Sequence, residues 1–509
     1  MHTTDPLHWL SAILDRDPER TLLRTAAGTR HSYRDLYELA GRMASALARR
    51  GVVATDRVAA QIDKSPQGVA LYLACLRLGA VFVPLNTAYT LAELEYFLAD
   101  SQPRVAVVQP ATAESVRSIA SRAGVTHVET LGAAGDGSLM QLALACSDND
   151  FTTGDYAPSA LASLLYTSGT TGRSKGAMVT RGNLASNAVT LVSAWQFERD
   201  DVLLHALPIF HVHGLFVAIN TVLASGSSML FLPKFDADAV LRLLPQATVM
   251  MGVPTFYTRL LQHPDLTAAT TRNVRLFISG SAPLLAQTHQ EFHAHTGHVI
   301  LERYGMSETL MNTSNPYVGE RVAGSVGPAL AGVEIRISDP ETGAACGSDT
   351  VGMIEVRGPN VFAGYWRMPE KTAAEFRPDG FFITGDLGRI DARGYVHIVG
   401  RGKDLVISGG YNVYPIEVEA EIDALPGVIE SAVIGVPHAD FGEGVTAIVA
   451  AEKNAVIDEA AVRRALERRL ANFKLPKRVI FVAELPRNAM GKVQKSALRE
   501  TYRNLYDGS

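Results

Sequence analysis

The sequence predicts an α/β protein. A large N-terminal domain of layered, doubly wound sheets with a small β-rich subdomain precedes a small, mobile C-terminal α/β domain. Short apolar runs alternate with helical stretches from Arg57 to Thr296, a pattern that implies mostly parallel sheets with crossover helices. Beyond Gly319 the texture changes to short strands and turns, and a charged, glycine-containing joint, Arg401-Gly402-Lys403-Asp404, leads into the last segment. A compact module behind a short polar joint has the organisation of a domain that moves.

A chain of 509 residues exceeds one ordinary domain. We expect a domain over 1–400, with α/β subdomains at 1–160 and 161–318 and a β-rich one at 319–400. A hinge at 401–404 and a mobile domain over 405–509 complete the expected division. With 47% hydrophobic and 19% charged residues, long disordered tails are not expected. A net charge of −5 gives no general attraction to nucleic acid or to an anionic membrane. Cys75, Cys146 and Cys346 are widely separated and form no CxxC, which fits a reducing compartment without structural zinc. The start, MHTTDPLHWL, lacks a basic segment followed by an apolar one, and no run of about 18 apolar residues follows. A cytoplasmic enzyme without membrane contact or an obligate protein partner is expected.

In the first part, strands are predicted at Val58–Ile62, Val81–Pro84 and Val105–Val108, with helices at Gly68–Leu78 and Leu91–Ala99. Residues 131–158, rich in Gly, Ala, Asp and Ser, read as a poorly structured connection. The alternation resumes with strands at Val202–Leu207, Ser228–Leu232, Val249–Val253 and Arg275–Ser279. Helices are predicted at Leu215–Ala224, Pro254–Gln262 and Leu284–Thr296. Short strands at Gly332–Ile337, Gly352–Arg357, Phe381–Thr384 and Tyr395–Val399 mark the β-rich part. The tail shows strands at Ser431–Val436 and Thr446–Ala451 and a charged helix over Glu459–Leu470.

The stretch with the most chemistry is Tyr166-Thr167-Ser168-Gly169-Thr170-Thr171-Gly172-Arg173-Ser174-Lys175-Gly176. An apolar strand, Leu161–Leu165, precedes it; a second, Ala177–Thr180, follows, and Asn183 is placed to cap a helix from Leu184. A loop of Gly, Ser and Thr turns sharply and can aim amides and hydroxyls at an anion, while Lys175 supplies a compact positive charge. That suits a triphosphate. It is not the usual P-loop, because Lys175 is followed by Gly176 rather than Ser or Thr. On composition alone a flexible surface turn would read the same way.

Further motifs follow in order: Phe210-His211-Val212-His213-Gly214, Tyr304-Gly305-Met306-Ser307-Glu308-Thr309, Thr384-Gly385-Asp386, Arg401–Asp404 and Pro486-Arg487-Asn488-Ala489-Met490-Gly491-Lys492. Together with the glycine loop they resemble the adenylate-forming superfamily of acyl-CoA synthetases, luciferases and peptide-synthetase adenylation domains. The resemblance spans nearly the whole chain. It implies a two-step reaction: a carboxylate attacks the α-phosphate of ATP to give an acyl-AMP and pyrophosphate, and a thiol then displaces AMP. The first step brings a carboxylate against a polyanion, so cations and dipoles must stand where charge develops.

The resemblance assigns Thr167, Ser168, Gly169, Thr170, Thr171, Gly172 and Lys175 to the phosphates of ATP. It implies that Glu308, with Thr171, holds Mg²⁺ and that Thr309 hydrogen-bonds the α-phosphate. Tyr304, followed by Gly305 and Met306, would stack on adenine opposite Gly280, Ser281 and Ala282. Asp386 suits the ribose because a carboxylate accepts two hydroxyl hydrogen bonds, with Arg401 in support. Lys492 would reach the carboxylate and α-phosphate only when the small domain closes. Lys403 stands at the family's hinge position, and Gly409-Gly410-Tyr411 would approach the coenzyme A tunnel after rotation. His211 is at the gating aromatic position. His211 and His213 could instead suggest a metal pair, but no third ligand is in view.

The segments Val249–Leu261, Phe210–Gly214, Glu302–Ser314, Arg357–Phe362 and Lys492–Lys495 resemble the malonyl-CoA synthetase branch of that superfamily. Arg259 is the expected clamp for a second carboxylate, since a guanidinium can grip one bidentately. Ser279, Ser281, His211 and Met306 would complete a short acyl pocket. Malonate is the implied acid, with methylmalonate a second candidate because one carbon gives only about 1–3 kcal/mol of discrimination. ATP, Mg²⁺ and coenzyme A are the implied co-reactants. An Arg259 facing solvent would favour another short-chain or aryl acid. A nucleotide-binding protein without the chemistry would be expected to lack Lys492 or Glu308, and both are present. Related synthetases are switched off by acetylation of the tail lysine, so a lysine acetyltransferase acting on Lys492 is an expected partner.

Overall fold

A computed structural model describes residues 5–147, 151–167, 174–488 and 491–507. Its architecture follows from which apolar runs pair. One sheet has eight strands. Across it, Leu310–Ser314, Leu301–Met306, Leu276–Ser279, Val249–Gly252, Val202–His205 and Ser228–Phe231 are followed by Thr21–Thr25 and Arg30–Ser32. A second has six: His127–Thr130, Val105–Val108, Arg57–Gln61, Val81–Pro84, Leu161–Thr167 and Lys175–Thr180. Most neighbours run parallel, and the strands are buried along nearly their full length, as parallel sheets covered on both faces require.

The two sheets do not divide the chain at residue 160. The first is opened by Thr21–Thr25, which pairs in parallel with Ser228–Phe231, and the second is closed by Leu161–Thr167 and Lys175–Thr180. The expected split into 1–160 and 161–318 is therefore corrected: the chain starts one layer, builds the other, and returns. The connection at 131–158 is also more ordered than its composition suggests, holding a helix at Ser138–Leu144 whose Leu139, Met140 and Ala143 are buried. Asn183 is not the cap it was expected to be. Thr180 caps the helix Arg181–Ala194, and Asn183 closes the reciprocal box by accepting the Thr180 amide. The predicted Leu215–Ala224 helix begins as π-helix over His213–Ile219, which wraps from the histidine motif into the core.

A four-stranded antiparallel sheet follows: Glu334–Ser338, Gly352–Arg357, Phe382–Ile390 and Val396–Arg401. The tail has a five-stranded sheet built around Val428–His438 and Gly442–Ala451. Its own apolar core includes Val433, Val445, Val449, Val462 and Leu466. The charged helix there stops at Leu466, earlier than expected. No helix among the described residues is long and apolar enough to cross a membrane.

Candidate active site

The C-terminal ends of Val202–His205, Val249–Gly252, Leu276–Ser279 and Leu301–Met306 lie side by side, and the sequence motifs leave from them. Ligands of open α/β sheets bind in such a crevice. The turn after Leu276–Ser279 is Gly280-Ser281-Ala282. Ser281 has a left-handed φ of 73°, and its hydroxyl lies 3.2 Å from His213 Nδ1. The next strand runs through Arg303 and Tyr304 and turns back at Leu310. That hairpin is tight enough that a Cβ on Gly305 would lie 1.8 Å from the Leu310 carbonyl oxygen, so only glycine fits.

The Tyr304 hydroxyl donates to Asp386 Oδ2 at 2.6 Å, and Arg401 Nε stands 3.2 Å from Asp386 Oδ1. These three expected nucleotide residues thus form one group, bridging the eight-stranded sheet and the β-rich part. Glu308 is buried, with Thr167 Oγ1 at 3.3 Å and the Tyr365 hydroxyl at 3.2 Å from its Oε1. Burial pushes its pKa above the carboxylate norm. Thr309 is buried beside it, and its Oγ1 has no partner among the described residues. Ser279 Oγ is likewise buried and unpartnered. Met306 is partly buried against the main core.

Lys175 begins a strand rather than lying free in the loop. It is buried, 3.4 Å from Glu375 Oε1, and its Nζ lies 4.8 Å from the Tyr365 ring centroid. Ser168, Gly169, Thr170, Thr171 and Gly172 lie outside the described residues. Among the described residues no group of three or more His, Cys, Asp or Glu could hold a metal ion. A single buried carboxylate flanked by hydroxyls does fit Mg²⁺, which keeps several waters and takes its other ligands from substrate phosphates.

Lys492 reaches the same crevice from the tail. Its amide donates to Asn488 Oδ1 at 3.0 Å, and a Cβ on neighbouring Gly491 would lie 3.2 Å from Thr255 Oγ1. Burial, reinforced by the charges of Arg401 and Lys403, lowers Lys492 to about 8. Burial also lowers His211 to about 4, with Arg303 and Lys492 adding to the effect, so His211 is neutral at pH 7. Lys403 sits on the turn Gly402–Asp404, whose Asp404 accepts a 2.6 Å bond from Arg499. Gly409 and Gly410 have φ of 59° and 81° on an exposed hairpin, where the Tyr411 ring stacks on Phe473.

The two arginines near the crevice are placed differently. Arg259 lies exposed on the last turn of Pro254–Leu261, while Tyr257 and Leu260 of that helix are buried. Its charge is felt by Arg487, which it disfavours. The buried guanidinium of the crevice is Arg303, which the sequence reading passed over as part of a motif. Arg303 is 3% exposed, and its Nε and Nη2 have no hydrogen-bond partner among the described residues. Its Cζ lies only 2.4 Å from where a Cβ on Gly280 would be, so the guanidinium fills the space that this glycine leaves. Burial lowers Arg303 to about 9, and its charge in turn disfavours protonation of His211 and His213. A basic residue inside a buried strand, beside a Glu302 that takes other partners, was the signal for it. Tyr365 and Glu375 were also missed.

Residues 10–366 match the AMP-binding enzyme family, and residues 417–492 match the AMP-binding enzyme C-terminal domain. A malonate–CoA ligase of Arabidopsis thaliana is 36% identical, over 90% of this chain and 78% of its own length. An indoleacetate–CoA ligase of Aromatoleum aromaticum is 34% identical, over 97% of each. The ATP-bound MatB of Rhodopseudomonas palustris is 61% identical, covers 99% of this chain and 100% of its own, and superposes with a TM-score of 0.96. The apo form of that protein gives 0.84, so the arrangement here is nearer the ATP-bound one. The chain therefore belongs to the AMP-binding enzyme family, and it is an AMP-forming acid–CoA ligase.

Proposed function

We propose that the protein ligates malonate to coenzyme A by way of malonyl-AMP, releasing pyrophosphate and then AMP. The observation that carries this reading is Arg303, a buried guanidinium whose Nε and Nη2 have no partner, and which no carboxylate faces, among the described residues. An isolated buried charge is strongly unfavourable. A dicarboxylate resolves that: one carboxylate reacts while the other pairs with Arg303. Similarity to malonate–CoA ligases and to MatB supports the same acid. The exposed Arg259 alone would favour a monocarboxylic acid, but such an acid would leave Arg303 unpaired.

In the first step the reacting carboxylate oxygen bonds to the α-phosphorus of ATP, and the bond to pyrophosphate breaks. Tyr304 and the Gly280–Ala282 turn would hold adenine, and Asp386 with Arg401 the ribose. Thr309 Oγ1, already without a partner, would donate to the α-phosphate. Lys492, a cation largely removed from water, would lie against the oxygens where negative charge accumulates. Mg²⁺ bound at Glu308 would offset triphosphate charge. In the second step the thiol sulfur bonds to the acyl carbon, the thiol proton is lost, and AMP departs. The small domain then turns about Lys403, removing Lys492 and presenting Gly409–Tyr411, while His211 gives way to the thiol. Methylmalonate, one methyl larger, is a second candidate acid, since one carbon gives only about 1–3 kcal/mol of discrimination.

The test is mass-spectrometric detection of products from purified protein with ATP, Mg²⁺, coenzyme A and one acid at a time. Malonate is expected to give malonyl-CoA and AMP faster than acetate, propionate, succinate, benzoate or indoleacetate. Faster turnover of any monocarboxylate would overturn the proposal.

A further inference from the structure

Lys175 is not waiting unpaired for a phosphate. Glu375 Oε1 lies 3.4 Å from its Nζ, and the two side chains are only 20% and 10% exposed respectively. The same Oε1 is 2.6 Å from Lys371 Nζ, one helical turn earlier. Glu375 Oε2 accepts the Tyr365 hydroxyl at 2.7 Å. That hydroxyl carries one proton and also faces Glu308 Oε1 at 3.2 Å, so it serves one carboxylate at a time. By donating to Glu375, the nearer, it leaves Glu308 free to accept a cation.

The two lysines on Glu375 are unequal. Lys371 makes the short contact and Lys175 the long one. If Lys175 swings away, Glu375 keeps Lys371 and Tyr365, so no buried carboxylate is stranded. The exchange is therefore cheap in one direction and readily reversed. Burial alone would raise Glu375, but the Lys371, Tyr365 and Lys175 contacts hold it below the ordinary carboxylate range, ionised at neutral pH.

We propose that Glu375 is the counter-ion that occupies Lys175 while the triphosphate site is empty and reclaims it as pyrophosphate leaves. It is a positioning residue: it acts on substrate through Lys175 and, by way of Tyr365, on Glu308. Its competition lowers the affinity of the site for polyphosphates, which speeds release of the first product. The inference rests on Lys175 being the triphosphate lysine of the proposed reaction.

The experiment is calorimetric titration with inorganic pyrophosphate, without any acid substrate, so the identity of the acid does not enter. Glu375→Gln removes the competing charge and is expected to tighten pyrophosphate binding by about 1.5-fold to fivefold, the range of a partly exposed ion pair. Glu375→Asp is expected to stay nearer the unaltered protein. Lys371→Met acts at a more exposed position and has the opposite sign: Glu375 then holds Lys175 harder, and pyrophosphate binds more weakly. Lys175→Met is expected to weaken binding and to erase the effect of Glu375→Gln. Unchanged or weaker pyrophosphate binding in a folded Glu375→Gln protein, or tighter binding in Lys371→Met, would overturn the inference while leaving the ligase reading intact. No effect of Lys175→Met would instead remove the triphosphate role on which it rests.

Discussion

Replacing Arg303 by Met separates the two halves of acid recognition. Met has similar length, no charge and no need of a partner, and it fits beside Gly280 without the guanidinium's planar fork. In the unaltered protein the second carboxylate of malonate would meet Nε and Nη2, the two guanidinium nitrogens without a partner among the described residues. Truncating one member of a buried, hydrogen-bonded charge pair costs about 2–5 kcal/mol, which is about 30-fold to several thousand-fold in kcat/KM. Propionate carries a methyl group where malonate has that carboxylate, so its kcat/KM should hold or rise. The assay is acyl-CoA formation under kcat/KM conditions for both acids, with a thermal melt as a control. The melt matters because the substitution removes a buried, unpaired charge, and the Tm is expected to stay level or increase. An equal loss for malonate and propionate in a folded variant would refute the reasoning, since Arg303 would then serve both acids alike.

Three further perturbations follow. Lys492→Ala should slow acyl-adenylate formation by about a hundredfold or more while leaving the transfer from a supplied acyl-AMP to thiol nearly intact, as measured by single turnover of each step. The free-protein Lys492 lies at about 8 and must be charged to act; kcat/KM for ATP should therefore fall about tenfold per pH unit above that point. The fall should vanish in Lys492→Ala, and a profile unchanged by that substitution would assign the break to another group. Arg259→Ala, at an exposed position, should change malonate kcat/KM by about twofold at most; a loss rivalling that of Arg303→Met would return the clamp to Arg259.

Much of this was legible in the sequence. The strands at Val81–Pro84, Val105–Val108 and Gly352–Arg357 fall where apolar runs and turn residues put them. Tyr304, Asp386 and Arg401, each named from motifs far apart in the chain, lie within contact of one another. What escaped was long-range or solitary. Nothing local in Thr21–Thr25 shows that it will pair with Ser228–Phe231, and the layer division was misplaced for that reason. Arg259 looked like a clamp because it follows a pocket-lining strand, but the helical period turns it outward while Tyr257 faces in. Arg303 was hidden by its neighbours: a motif read for Tyr304 and Glu308 drew attention from the one charged side chain of the strand without a partner. Glu375 lies in no motif, and only the folded chain brings it to Lys175.

The central claim is that a second carboxylate sits on Arg303, and the most direct measurement is a crystal structure with malonate and a non-hydrolysable ATP analogue. The account predicts the distal carboxylate within hydrogen-bonding distance of Arg303 Nε and Nη2, with the reacting carboxylate toward Lys492. A distal carboxylate turned to solvent or to Arg259, with Arg303 still unpaired, would contradict it.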